Sequence, residues 1–198
     1  MTMVDVAFAL DGGSLPRDHD RVLAEAIERA LPWWRSALPA AGVHRLRVSG
    51  GAQALLARRT RLVLRVPHER AQDTAAALQG STLEVGDTPL RVGAGQVREL
   101  QPWGTLYAHV VAAGDGDETD FLRTVEAELQ ALGVAARTIC GRAQRVDAGA
   151  LHGYSLMLDG LSAEDALRVL DAGVGAHRRL GCGLFVPHKS AAAVGAPA

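Results

Sequence analysis

The sequence predicts an α+β fold in two similar halves. Stretches of strict alternation between apolar and polar residues mark strands, and apolar residues at helical spacing mark the helices between them. The order strand, helix, strand, strand, helix, strand occurs twice along 198 residues. That length suits two small domains of about 100 residues each, and a composition of 48% hydrophobic and 22% charged residues is that of a folded globular chain.

In the first half, Val4, Val6, Phe8 and Leu10 alternate with Asp5 and Ala7, as a half-buried strand requires. Asp18 or Asp20 is placed to cap a helix in which Val22, Ala26, Ile27 and Ala30 recur at helical spacing, and Pro32 marks its end. Strands are expected over Val43–Val48 and Thr60–Val66, the second alternating Leu62, Leu64 and Val66 with Arg61, Val63 and Arg65. A helix over His68–Leu78 and strand material over Thr82–Val97 complete this half. The second half repeats the order with a strand over Thr105–Val111, a helix over Thr119–Leu132 and strands over Ala135–Val146 and Gly153–Leu158. Ser162 caps the next helix, which runs to Leu170 with Glu164 and Asp165 in its first turn, where negative charge suits the helix dipole. Leu184–Pro187 is the last strand. This order specifies two tandem ferredoxin-like (RRM-like, βαββαβ) domains, over 1–100 and 101–190, with a flexible tail over 191–198.

Net charge is −1, yet the basic residues are clustered. Arg45, Arg47, Arg58, Arg59, Arg61, Arg65 and Arg70 stand in one stretch with Glu69 as its one acid, and Arg137, Arg142, Arg145, Arg178 and Arg179 fall in two further acid-poor stretches. Lys189 is the only lysine. The cations are therefore almost all guanidiniums, which grip phosphate bidentately, although GC-rich coding also favours arginine throughout. No apolar run approaches the ~20 residues of a membrane span, and the N-terminus lacks the basic start of a signal peptide, so a cytoplasmic protein without membrane partners is expected. Cys140 and Cys182 do not form a Cys-x-x-Cys pair and read as free thiols, and no metal-ligand spacing is visible.

The stretch GVGAHRRLGCGLFVP, Gly173 to Pro187, places four glycines around two adjacent arginines. A single glycine at Gly173 reads as a helix C-cap. Four of them beside Arg178 and Arg179 read as a loop that lets backbone N–H groups approach a phosphate-rich ligand.

Five segments carry a family resemblance: VDVAFALDG from Val4, LPRDHDRVLAEAI from Leu15, GVHRLRVSGG from Gly42, RLVLRVP from Arg61, and LHGYSLMLDGLSAEDALRVLDAGVGAHRRLGCGLFVP from Leu151. In this order they resemble the CRISPR-associated endoribonucleases of the RAMP superfamily that cut precursor CRISPR RNA within its repeats, especially the short myxobacterial-type branch. The resemblance implies metal-independent, cofactor-free cleavage, in which a 2′-hydroxyl attacks the scissile phosphate and leaves a 2′,3′-cyclic phosphate and a 5′-hydroxyl. It implies CRISPR repeat RNA or crRNA as partner, with other CRISPR-associated subunits of a surveillance complex as further partners.

Such chemistry needs a base, an acid and cations around the transition state, and histidine suits the first two roles because its pKa of about 6.5 lies near the working pH. His44 is the first candidate, in the segment resembling the family's catalytic-histidine region, with Arg45 and Arg47 beside it. His19 is the second candidate or its partner. His68, His109 and His152 are assigned to surface or packing and His188 to the tail. Gly173, Gly175, His177, Arg178, Arg179, Gly181 and Gly183 form the RNA-binding loop that the resemblance implies. Members that use tyrosine and lysine partners differ from this chain, which has no lysine before Lys189, so its cationic assistant is expected to be an arginine. Two other readings stand beside this one: a non-catalytic RNA-binding RAMP subunit of a surveillance complex, and a tandem ferredoxin-like ligand sensor.

Overall fold

The computed structural model describes residues 2–46, 48–49, 54–57, 59–114 and 117–189. Arg47, Arg58 and the expected tail over 191–198 lie outside the described residues. The chain forms two compact units, each a ferredoxin-like arrangement of sheet and helices. The first takes in the chain through Glu99 together with Val146–Ala148 and Arg178–Gly181, and the second takes in the remainder.

In the first unit, strand β1 (Met3–Asp11) leads through β2 (Ser14–Leu15) to helix α1 (Asp20–Ala30). Then come β3 (Gly42–Val43), β4 (Val48–Ser49), β5 (Ala54–Leu56), β6 (Arg61–Pro67), α2 (Ala71–Leu78), β7 (Thr82–Val85) and β8 (Thr88–Glu99). The main sheet has the order β3-β6-β1-β8-β7, all antiparallel, and β2, β5 and β4 form a small sheet of their own. The predicted alternation holds: Val4, Val6 and Phe8 of β1 and Leu62, Leu64 and Val66 of β6 are fully buried, packed with Ile27, Leu31, Trp34 and Leu78 in one core. The register sets Asp5 opposite Arg65 on the other face of the sheet.

Local differences from the sequence reading have local causes. The strand expected over Val43–Val48 is registered with β6 at Gly42 and Val43, with one further bond from His44 N–H to Val63 O. Beyond it Arg45 is drawn to Asp20 instead of extending the ladder. Neither Asp18 nor Asp20 caps α1. Its N-cap is His19, without a side-chain cap bond, and Asp20 is inside the helix. The material over Thr82–Val97 is a hairpin, β7 to β8, turning at Gly86 with φ +63°.

In the second unit, β9 (Thr105–Ala112), α3 (Glu118–Ala131), β10 (Arg137–Val146), β11 (Leu151–Asp159), α4 (Ala163–Ala172) and β12 (Phe185–Pro187) follow in turn. Sheet order is β10-β11-β9-β12. Ser162 caps α4 as its sequence position predicts, accepting from Asp165 N–H at 3.1 Å. Asp117 caps α3 through Thr119 and Asp120. Leu106, Ala108, Leu156, Leu158, Val169 and Phe185 form the centre of this unit's core. Cys140 and Cys182 form no disulfide, and no helix among the described residues is long and apolar enough to cross a membrane.

Candidate active site and nucleic-acid interface

His44 is held by backbone and side chain together. Its N–H donates to Val63 O at 2.9 Å, just past the end of β3, and its Nε2 lies 3.3 Å from Asp5 Oδ1 on β1. Asp5 also receives Arg65 Nε at 2.9 Å and Nη2 at 3.0 Å, a bidentate pair whose guanidinium is 1% exposed. Burial by itself pushes the Asp5 carboxyl up. The charge and hydrogen bond of His44, followed by those of Arg65, overcome it and hold the group well below the usual carboxylate range. Asp5 is therefore an anion at neutral pH, and the proton between it and His44 sits on Nε2. This leaves Nδ1 of His44 as the nitrogen able to accept another.

His19 is also fixed. It is 5% exposed, and its Nδ1 lies 2.9 Å from Pro16 O, so Nδ1–H donates and Nε2 is the remaining nitrogen. Next in the chain, Asp20 forms an ion pair with Arg45 at 3.5 Å. The two candidate histidines are thus the chain neighbours of the two partners of a single ion pair, Asp20 beside His19 and Arg45 beside His44. Periodicity alone does not juxtapose these two segments, which a whole helix separates in the chain.

The glycine-rich motif divides between the two units. Arg178 and Arg179 belong to the first, where Arg178 Nη1 donates to Pro39 O at 2.8 Å with the residue 9% exposed, and Arg179 Nη1 donates to Glu28 Oε1 at 2.8 Å. Gly181 has φ +81°, and a Cβ there would stand 2.5 Å from Arg45 Cγ and 3.2 Å from Val43 O. In the second unit, Gly173 caps α4 with φ +64°, its N–H donating to Val169 O. Gly175, φ +77°, donates its N–H to Glu128 Oε2 at 2.6 Å, beside a hollow of about 80 Å³ lined by Phe121, Thr124 and Val174 among others. A Cβ on Gly183 would overlap the Val174 carbonyl oxygen. His177 also adopts positive φ and is exposed. The expectation that these glycines keep Cβ atoms away from RNA thus meets a second physical reason: the chain's own path requires glycine there.

A family model described as Cas6 Crispr matches residues 4–190. The chain belongs to the Cas6 family. It is 37% identical over 198 residues to the CRISPR-associated endonuclease Cas6 of Myxococcus xanthus (strain DK1622), covering 98% of this chain and 85% of that protein. Among solved structures, one described as CRISPR associated protein Cas6 superposes with a TM-score of 0.71 at 11% identity, covering 94% of this chain and all of that one. A Cas6-related protein from Pyrococcus furiosus superposes with a TM-score of 0.65 at 13% identity, covering 93% of this chain and 98% of that one. At these identities the structures show the shared fold.

Sequence reading missed the partners within this Cas6 family chain. Asp5 read as the polar half of an alternating strand and Arg65 as that and as one of a basic cluster, and neither reading paired them. The one legible cue was an acid in β1 and an arginine in β6 on the faces opposite the apolar residues, which strand register then brings together.

Proposed function

We propose that this chain is an endoribonuclease that cuts precursor CRISPR RNA within its repeats, without a metal ion, by attack of the 2′-hydroxyl upstream of the scissile phosphate. His44 Nδ1 takes the 2′-hydroxyl proton, and the 2′-oxygen forms a bond to phosphorus as the bond to the 5′-oxygen breaks. His19, as imidazolium, gives the 5′-oxygen a proton from Nε2. The products are a 2′,3′-cyclic phosphate and a 5′-hydroxyl. Arg45 leaves Asp20 for the phosphate and, with Arg47 and the glycine-rich loop of Gly173, Gly175, His177, Arg179, Gly181 and Gly183, holds the RNA. Arg178, buried with its Nη1 on Pro39 O, anchors its own segment of the loop within the first unit.

The observation that carries this reading is the Asp5–His44 pair next to the Arg45–Asp20 ion pair, with His19 adjoining it. An anion that fixes one imidazole nitrogen leaves the other with a defined role, and a 3.5 Å ion pair with a partly exposed arginine is weak enough to be exchanged for phosphate. The 37% identical endonuclease from Myxococcus xanthus supports the activity class. The work is that of a soluble cytoplasmic protein, with the repeat RNA and other CRISPR-associated subunits as partners.

One observation favours a second reading. His44 is only 14% exposed at its side chain and is engaged by a carboxylate that Arg65 already pairs, which suits a structural histidine in a non-catalytic RNA-binding subunit. Incubation with the repeat RNA encoded beside its gene, in excess EDTA, separates them. The proposal expects cleavage with cyclic phosphate ends, no cut when the upstream nucleotide is deoxy, and a loss of ~10²–10⁴ in rate for His44→Ala at nearly unchanged RNA affinity. Binding without cutting selects the second reading.

A further inference from the structure

The second unit carries an aromatic cluster that the site above does not use. On β9, the residues Leu106, Ala108 and Val110 are fully buried, so Tyr107 and His109 project from the other face of the sheet. The rings of Tyr107 and His109 lie 5.1 Å apart, edge to face, and that of His188 lies 5.4 Å from Tyr107. His109 and His188 are exposed, and the exposed Lys189, the chain's only lysine, follows directly. His188 is anchored rather than trailing: its N–H donates to Thr105 O at 3.1 Å, which carries the β12–β9 pairing one step beyond Pro187.

Three properties of this patch define what it takes. Its base is rigid, because β9 is an interior strand flanked by β11 and β12. Its neighbours on the same face, Met157 and Val186, pair directly with Tyr107 and are apolar or soft. The acid on that face, Asp159, is already committed to Thr105 Oγ1 at 2.6 Å and Arg137 Nη2 at 2.5 Å, and these bonds hold its carboxyl below the ordinary range. Aromatic rings on an interior strand, beside an ammonium group and with the nearby carboxylate neutralised, match a base with its phosphate and not an acidic or purely apolar ligand.

We propose that Tyr107, His109 and His188 form a stacking subsite for one unpaired nucleotide of RNA, with Lys189 on its phosphate. This rests on the RNA reading above but not on the cleavage mechanism. The test uses the full chain and a labelled twelve-nucleotide oligouridylate, with affinity measured at two salt concentrations and melting temperature measured for each variant. Tyr107→Ala and His188→Ala should each bind about tenfold more weakly, since stacking of one base on an aromatic side chain is worth that much or more, and Tyr107→Phe should bind as wild type. The salt slope should stay unchanged in these variants and fall by roughly 0.7 in Lys189→Ala.

Wild-type affinity in His188→Ala, whose side chain lies outside the core, overturns the proposal even if Tyr107→Ala loses stability. So does equal weakening by Tyr107→Phe and Tyr107→Ala, which would trace the effect to the hydroxyl. Cleavage of the repeat RNA is scored separately on wild type and His44→Ala. A chain that stacks oligouridylate through Tyr107 but cuts nothing refutes the nuclease and leaves this subsite standing. A chain that cuts, with both alanine variants binding normally, refutes only the subsite.

Discussion

Asp5 Oδ1 lies between an arginine and a histidine, 2.9 Å from Arg65 Nε and 3.3 Å from His44 Nε2. One carboxylate thus neutralises a guanidinium that is almost wholly buried and fixes the tautomer of the candidate catalytic histidine. Structure and proposed chemistry meet at this residue, and a substitution there should disturb both.

Asp5→Asn keeps the shape and removes the charge. Removing one partner from a buried ion pair costs roughly 3–5 kcal/mol, because the remaining charge keeps its desolvation penalty. The variant should therefore melt well below wild type. If it stays folded at low temperature, its cleavage rate should fall while RNA affinity holds, since asparagine no longer dictates which nitrogen of His44 carries the proton. Single-turnover cleavage below the variant's melting range, beside a binding isotherm, checks both halves.

The same carboxylate predicts a pH dependence. Its value is lowered in the folded protein from an ordinary 3.8, so the unfolded chain binds this proton more readily than the native one. The stabilisation is fully present above the unfolded value and is lost as pH falls from there through the much lower folded value. The gap between the urea midpoints of wild type and Asp5→Asn, present at about pH 5, should shrink as pH falls below about 4. A gap that stays constant down to about pH 2 would show that Asp5 contributes no linked proton.

Arg178 and Arg179 are adjacent in sequence and should behave differently. Arg178 is buried and holds Pro39 O, whereas Arg179 is 30% exposed at its side chain and shares Glu28 with Arg35. Arg178→Ala should lower the melting temperature and leave the salt dependence of RNA binding alone. Arg179→Ala should flatten the salt dependence by roughly 0.7 for each phosphate that the guanidinium would have neutralised. Melting curves and affinities at two salt concentrations on the two single variants decide it. Equal salt slopes in wild type and Arg179→Ala would remove Arg179 from the RNA surface.

The strands and helices were legible because their signals are local. Alternation in β1 and β6, the Ser162 cap and the Gly173 stop depend on residues within a few positions of one another. The roles of Arg178 and Gly181 were not legible, because their partners Pro39 and Arg45 stand more than a hundred residues away in the chain. An arginine read from sequence is a free cation, and only the fold tells whether a carbonyl or carboxylate already occupies it. His44 is a candidate by resemblance, yet its anchor Asp5 depends on strand register, which the alternating pattern does not reveal between distant strands.

Glu128 gives the last prediction. Its carboxylate accepts the Gly175 N–H at 2.6 Å, so an anion from α3 already occupies a backbone donor of the glycine-rich segment. Glutamine at this position keeps an acceptor for that N–H and removes the negative charge. A charge about 6 Å from a phosphate in a solvent-like dielectric is worth ~0.7 kcal/mol, roughly threefold in affinity. Glu128→Gln should therefore bind repeat RNA about threefold more tightly at low salt, with the gain fading as salt approaches about 1 M and screening shortens to about 3 Å. Its melting temperature should stay close to that of wild type, because one hydrogen bond is exchanged for a similar one. Glu128→Ala, which leaves the Gly175 N–H without this acceptor, should gain affinity likewise but lose stability. If both variants bind as wild type at every salt concentration, Gly175 lies beyond the reach of the RNA phosphates, and the RNA-binding part of the motif narrows to the segment around Arg179.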